Sequence, residues 1–163
     1  MKILLCGHRT EYLAMLAASL KDLEYDCLQT SSAETAAATL TAARFDVLVV
    51  CHAPGHIDAI EVLAQTRASS PRTRVLMAAS EPTLELVCTA LNLHAWAFFP
   101  REIELPDLLS ALAEIETETA DFRKREEQHS RLALEFARLK QAYDDLRDAG
   151  PAGHHKTTNG RES

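Results

Sequence analysis

The chain has 163 residues, of which 47% are hydrophobic and 25% charged, and its formal net charge at pH 7 is −7. This composition is sufficient for one domain with a substantial core plus an extension, and the acidic balance argues against a broad nucleic-acid surface, which requires clustered Lys and Arg. The apolar run at 3–6 is too short for a signal sequence, and no later run approaches the roughly 18 apolar residues of a membrane span.

Short apolar runs alternate with helical patterns over the first 105 residues. The predicted strands are 2–6, 25–29, 45–51, 74–79 and 95–99. The predicted helices between them are 11–23, 33–43, 58–68 and 83–93. Ser31 and Ser32 offer a cap for the second helix, and Pro82 is placed near the N1 position of the fourth. Strands that are apolar on both faces and alternate with helices predict a parallel sheet covered on both sides.

The functional site of such a sheet is expected at the carboxyl ends of its strands. In this sequence that edge consists of 6–10, 51–57, 79–82 and 100–103. We therefore expect any binding or catalytic residues of the first 105 positions to lie in these four segments.

The last predicted element is much longer than the others. Residues 107–149 contain no Gly or Pro, Pro106 suits a helix start, and Gly150-Pro151 predicts a stop. The expected organisation is a head over 1–115, a coiled-coil helix over 116–149 and a disordered tail over 150–163.

A heptad pattern runs along this helix and predicts a homodimer. One seam position takes Leu108, Ile115, Phe122, His129, Phe136 and Tyr143. The other takes Ala111, Glu118, Arg125, Leu132, Leu139 and Leu146. The part from Leu132 to Leu146 is apolar throughout, whereas the middle of the seam is polar. A seam histidine, His129, raises the question whether pairing depends on pH, although a lone histidine there is usually only tolerated.

The four cysteines, Cys6, Cys27, Cys51 and Cys88, lie far apart with no CxxC pair. All four fall in apolar runs, where a cysteine behaves as a small hydrophobe. This usage is typical of a reducing compartment, so we expect a cytoplasmic protein without a disulfide framework.

With five βα units in place, residues 1–115 resemble the receiver domain of bacterial response regulators. The matching segments are Lys-Ile-Leu-Leu at 2–5, Phe-Asp-Val-Leu-Val-Val at 45–50, Pro54-Gly55 with Asp58 and Glu61, Arg-Val-Leu-Met-Ala-Ala-Ser at 74–80 and Ala-Trp-Ala-Phe-Phe-Pro-Arg at 95–101. The resemblance implies a flavodoxin-like, doubly wound (βα)5 domain with strand order 2-1-3-4-5, acting in two-component or phosphorelay signalling.

The resemblance also implies a pocket whose chemistry is missing here. The family's acidic pair falls on Gly7 and His8, its phosphoacceptor aspartate on Cys51, its hydroxyl residue on Ala79 beside Ser80, and its lysine on Arg101. Mg²⁺ requires hard oxygen ligands, and this set offers none from a carboxylate. We therefore interpret the head as a pseudo-receiver that is not phosphorylated, needs no cofactor and has no enzymatic activity.

A pseudo-receiver is expected to act by binding other proteins. Trp96 and Phe98 lie on the fifth strand, and they predict an interaction face for a signalling or transcriptional partner, alongside self-association through the last helix. Neither a membrane nor nucleic acid is an expected partner. Arg101 either keeps an anion-binding role or pairs with Glu102 or Glu104 at the surface.

A different class of function remains open at the same edge. Cys51 with His8, His52 and His56 could form a soft-ligand site for zinc or copper, or a redox sensor based on a Cys51 thiolate. No pair among them has a recognised metal-ligand spacing, so the simpler interpretation is that Cys51 fills a vacated acidic pocket and the histidines are loop residues.

Overall fold

The computed structural model describes residues 1–148 with their side chains. Its strands are β1 (Lys2–Cys6), β2 (Asp26–Thr30), β3 (Val47–His52), β4 (Arg74–Ala79) and β5 (Ala97–Phe99). Its helices are α1 (Thr10–Asp22), α2 (Ala33–Ala42), α3 (Ala59–Ser69), α4 (Leu84–Asn92) and α5 (Leu105–Glu162). All nine predicted strands and helices before α5 are present, with ends that differ by at most two residues.

The five strands form one parallel sheet in the order β2-β1-β3-β4-β5. This confirms the predicted fold class and strand order. Leu4, Leu48 and Met77 pack on one face with side chains of α2 and α3. The alternate positions, such as Leu5 and Val49, are equally buried, as expected for a sheet covered on both sides.

Polar side chains fix the starts of three helices. The Ser32 hydroxyl accepts from Thr35 N–H at 3.1 Å, which confirms the predicted cap of α2. Asp58 caps α3, and Thr83 caps α4 by accepting from Leu86 N–H at 3.1 Å. Because Thr83 is the cap, Pro82 precedes the helix and does not occupy the predicted N1 position.

Two strands, β3 and β5, start two residues later than predicted. Phe45 is buried but lies before β3, while Asp46 N–H donates to the Lys2 carbonyl at 2.9 Å outside the regular ladder. Trp96 likewise precedes β5 and donates its N–H to the Val75 carbonyl at 2.8 Å. In both cases the run of apolar residues begins before the regular hydrogen-bonded pairing of the strand.

Contacts divide the chain into Met1–Leu112 and Ala113–Ser163. Within the first unit, Leu108 and Leu112 of α5 are fully buried. The predicted stop at Gly150-Pro151 and the predicted disordered tail over 150–163 fall outside the described residues. No helix within the part of the chain that was described is both long and apolar enough to cross a membrane.

Candidate functional site

A cavity of about 540 Å³ opens at the carboxyl ends of β1, β3 and β4. All four segments of the predicted edge contribute to it. The lining residues are Gly7, His8, Arg9, Tyr12, Leu13, Cys51, His52, Ala53, Pro54, His56, Ala78, Ala79, Ser80, Glu81, Thr83 and Glu102. The structure therefore brings together four of the five residues of the predicted degenerate pocket, namely Gly7, His8, Cys51 and Ala79.

Gly7 lies directly against the first turn of α1 and the end of β3. A Cβ atom built on Gly7 would be 2.7 Å from Leu13 Cδ1 and 3.4 Å from Cys51 Cβ. Leu13 is only 1% exposed, so it has little room to move aside. The space that an acidic side chain would need at position 7 is therefore occupied by a buried leucine.

Cys51 is a neutral thiol near neutral pH. Burial raises its pKa to about 11, with a smaller contribution in the same direction from the neighbouring Cys6. Burial also raises the pKa of Cys6, whose Sγ donates to the Ser32 carbonyl at 3.8 Å. A raised pKa suppresses the thiolate that redox chemistry or metal binding requires, so the structure does not favour the redox alternative.

The histidines at this edge are arranged in a way that does not suit metal binding. The rings of His8 and His56 stack with centroids 3.7 Å apart and planes 11° from parallel. In-plane lone pairs of parallel stacked rings run side by side and do not converge on one ion at about 2.0–2.1 Å. Among the described residues, no group of three or more His, Cys, Asp or Glu could hold a metal ion.

His52 is used to build α3. Its Nδ1 accepts a hydrogen bond from Ala59 N–H at 3.2 Å, next to the cap formed by Asp58. Because Nδ1 accepts, the hydrogen of the neutral ring is on Nε2. His52 therefore supports the helix start, which is a role that its position in the sequence did not suggest.

A tight turn carries His56 back to the cavity. Ala53 and Ile57 exchange backbone hydrogen bonds of 3.1 and 2.8 Å, and His56 N–H donates to the Ala53 carbonyl at 2.9 Å. Pro54 and Gly55 are the central residues, and Gly55 has φ +80°. Pro followed by a residue with positive φ is the arrangement of a type II turn. This turn holds the His56 ring on the His8 ring.

Both arginines at this edge are paired with carboxylates. Arg9 forms an ion pair and hydrogen bond with Glu102 at the rim of the cavity. Arg101 is not among the lining residues and pairs with Asp107 at 2.8 Å. This corrects the prediction that Arg101 pairs with Glu102 or Glu104. The cavity does not receive the cation that the resemblance assigned to it.

These residues do not fit a magnesium ion. Gly7 provides no donor atom, His8 is stacked, and Cys51 is a neutral thiol. The carboxylates in the lining are Glu81 and Glu102, of which Glu102 is paired with Arg9. The set lacks the hard, near-octahedral oxygen ligands that Mg²⁺ prefers.

Four lining residues, Tyr12, Leu13, Ala78 and Thr83, lie outside the four predicted segments. Tyr12 donates its hydroxyl hydrogen to the Ile103 carbonyl, which ties α1 to the segment before α5. Leu13 fills the space next to Gly7. In the sequence, Tyr12 and Leu13 belong to the apolar face of the first predicted helix, and nothing in the pattern indicates that this face reaches the strand ends.

The predicted interaction face is half-buried. Phe98 packs against the core cluster, and Trp96 is partly exposed before β5. The neighbouring helix α4 exposes Leu84 to 80% and Leu91 to 56%, and Cys88 is exposed between them. These three α4 residues share one helix face, whose exposure was not predicted from the sequence.

The predicted seam of α5 carries exposed apolar side chains. The large exposed apolar residues described on this helix are Phe122, Leu132, Leu134, Phe136, Leu139, Tyr143 and Leu146, with exposures from 61% to 75%. All except Leu134 occupy seam positions. His129 is exposed as well.

Solved structures match the chain over the head. A CheY-like response regulator receiver domain protein from Methanospirillum hungatei JF-1 has a TM-score of 0.69 at 19% identity, over 74% of this chain and 97% of that one. Chemotaxis protein CheY4 of Vibrio cholerae has a TM-score of 0.63 at 22% identity, over 70% and 97%. A response regulator from Burkholderia pseudomallei, described with a phosphorylated aspartic acid, calcium ion and citrate, has a TM-score of 0.63 at 19% identity, over 73% and 72%.

No family model matches the chain, and no curated protein matches it. At identities this low, the similarity to solved structures establishes the fold. The head has the fold of CheY-like receiver domains, as the resemblance in the sequence implied.

Proposed function

We propose that the chain is a phosphorylation-independent receiver-like module of bacterial two-component signalling, which acts in the cytoplasm by binding proteins and not as an enzyme. The observation that carries this proposal is the packing of Gly7 against Leu13 beside the neutral thiol of Cys51. A phosphoacceptor site needs a carboxylate nucleophile and oxygen ligands for the metal that neutralises the incoming charge. Here Cys51 occupies the acceptor position, and Gly7 and His8 occupy the positions of the acidic pair.

Incubation with acetyl phosphate and Mg²⁺, followed by intact mass measurement, tests the proposal. We expect no gain of a phosphoryl group by this chain, while the Burkholderia pseudomallei regulator serves as positive control because its structure holds a phosphorylated aspartate. The Cys51→Ala variant is the matched control for phosphorylation of the thiol. Uptake by the wild type that is lost in Cys51→Ala would contradict the proposal and identify Cys51 as an acceptor.

We further propose that the module is a homodimer paired through the α5 seam. Six large apolar side chains share this seam and are 61% or more exposed. Burial of apolar side chains of this size is stabilising, so we expect a second copy that presents the same stripe to cover them. The exposed and half-exposed apolar residues near β5, including Trp96 and Phe98, would then remain for a signalling or transcriptional protein.

A further inference from the structure

The cavity at the strand ends exists because the side chains around it are small. Gly7, Cys51, Ala53, Ala78 and Ala79 contribute to its lining, where larger residues would close it. Its volume of about 540 Å³ is within the range of roughly 300–1,000 Å³ that small-molecule sites occupy. Its place at the carboxyl ends of β1, β3 and β4 is where open parallel sheets bind their ligands.

The charge of the lining does not suit an anion. Arg9 is the single Lys or Arg among these described residues, and it is already paired with Glu102. Glu81 adds a second carboxylate. Apart from its histidines, the lining therefore has one positive and two negative charges, which disfavours a phosphate or carboxylate ligand.

The remaining lining favours a flat, uncharged molecule. The stacked rings of His8 and His56 and the ring of Tyr12 contribute aromatic surface, and Leu13 contributes apolar surface. Since His52 Nδ1 accepts from Ala59 N–H, its Nε2–H is the donor that this ring can offer. Aromatic walls with few polar groups are typical of sites for planar ligands.

We propose that this cavity binds an uncharged, planar aromatic or heteroaromatic molecule that carries a hydrogen-bond acceptor. The site goes beyond the proposed function and does not depend on pairing of α5. Its occupant would be the input to the module, taking the place that a phosphoryl group has in a receiver with an acceptor aspartate.

Ligand-detected NMR on the full chain tests this with three probes: quinoline, the anion 2-naphthoate of similar ring size, and inorganic phosphate. We expect quinoline to bind with a Kd of about 1 mM or tighter and the two anions to bind at least tenfold more weakly. Ala53→Phe should abolish quinoline binding by filling the cavity from its rim. Ala38→Phe, on the exposed face of α2 outside the lining, should leave binding unchanged.

A second variant keeps the test informative if Ala53→Phe does not fold. His8→Ala removes one ring of the stack and should weaken quinoline about 2- to 10-fold, the range expected for loss of one aromatic contact. Three results would overturn the proposal. The first is no binding of quinoline at about 10 mM, which is roughly ten times the expected Kd. The others are anions that bind as well as quinoline, and quinoline binding that Ala53→Phe and His8→Ala both leave unchanged. None of these bears on phosphoryl uptake, which is measured separately.

Discussion

Glycine is needed at position 7 because of the side chains packed around it more than because of its backbone conformation. A Cβ at this position would be 2.7 Å from Leu13 Cδ1, which is closer than carbon atoms approach without displacement. We expect Gly7→Ala to lower the free energy of unfolding by about 1–3 kcal/mol, the usual range for overpacking a core. Urea denaturation measures the change.

A double-mutant cycle identifies the contact responsible. Leu13→Ala opens the space that the added methyl group needs, so Gly7→Ala should have a much smaller effect in that background. If the effect of Gly7→Ala is the same with and without Leu13, the clash with Leu13 is not its cause.

The buried thiols make stability depend on pH above neutrality. Burial raises the pKa of Cys51 and of Cys27 from 9.0 to about 11. Between these values the unfolded chain releases the thiol proton while the folded chain retains it, so stability is fully present below pH 9 and declines as pH rises towards 11. The difference between a pKa of 9.0 and one of about 11 corresponds to about 3 kcal/mol for Cys51.

Unfolding by urea at a series of pH values from roughly 8 to 11 tests this expectation, because this range includes both the ordinary and the raised pKa of the thiols. Cys51→Ala should remove part of the wild-type decline, and the double variant with Cys27→Ala should remove more of it. The part that remains is expected from Cys6, whose pKa is also raised by burial. An undiminished slope in Cys51→Ala would show that this thiol ionises in the folded state as it does in water.

The location of the site was predictable from the sequence, whereas the packing of its side chains was not. Spacing along the chain placed Gly7, His8 and Cys51 at one edge, because carboxyl ends of parallel strands meet there. It did not reveal that Leu13 fills the space beside Gly7, or that the rings of His8 and His56 stack. Those facts depend on side-chain packing between segments that are distant in sequence.

Helices α1 and α4 end in the same way, and neither end has a glycine. Glu24 has φ +69°, and its backbone N–H donates to the Lys21 carbonyl at 3.0 Å. The backbone N–H of Tyr25 donates to the Leu20 carbonyl at 2.9 Å. His94 has φ +61° and closes α4 with equivalent bonds. These are Schellman motifs, in which the residue with positive φ is usually glycine.

Replacing Glu24 by glycine should stabilise the protein. The left-handed conformation costs a residue with a Cβ about 1–2 kcal/mol, and the greater freedom of glycine in the unfolded chain offsets part of that gain. We expect Glu24→Gly to raise the free energy of unfolding by about 0.5–1 kcal/mol, measured by urea denaturation. Glu24→Ala keeps the Cβ and should give no gain, so equal stabilisation by both variants would point to the charge of Glu24.

The elements themselves were predictable because their signals are local. Apolar runs located all five strands, and the Ser32 cap located the start of α2. Strand boundaries were less predictable where a buried apolar residue lies outside the regular strand pairing, as Phe45 does before β3. The ends of α1 and α4 carry no glycine, so the turn that stops each helix was not visible in the sequence.

For the whole molecule, the open question is how the apolar seam of α5 is covered. Leu132, Phe136, Leu139, Tyr143 and Leu146 repeat at heptad spacing and are each at least 64% exposed. A single helix cannot bury a stripe on its own surface. A second copy can, because it presents the same stripe, and closed pairing of identical surfaces is the commonest form of self-association.

Light scattering on purified protein gives the native mass, which we expect to be twice the 18.0 kDa of the chain. Leu139→Asp places a carboxylate in the seam and removes a leucine from each helix. Because each buried leucine contributes about 1.5 kcal/mol or more, the Kd of the dimer should rise at least about 100-fold. Leu134→Asp is the matched control, since Leu134 is 65% exposed on the same helix but lies off the seam.

The pair of variants distinguishes the seam from other modes of association. Monomer for Leu139→Asp with dimer for Leu134→Asp, both with the circular dichroism of a folded head, would assign the interface to the seam. A dimer that survives Leu139→Asp would move the interface to another surface, for which the exposed α4 face of Leu84 and Leu91 is the next to be tested. A monomeric wild type would exclude the homodimer and leave the seam to a different helix.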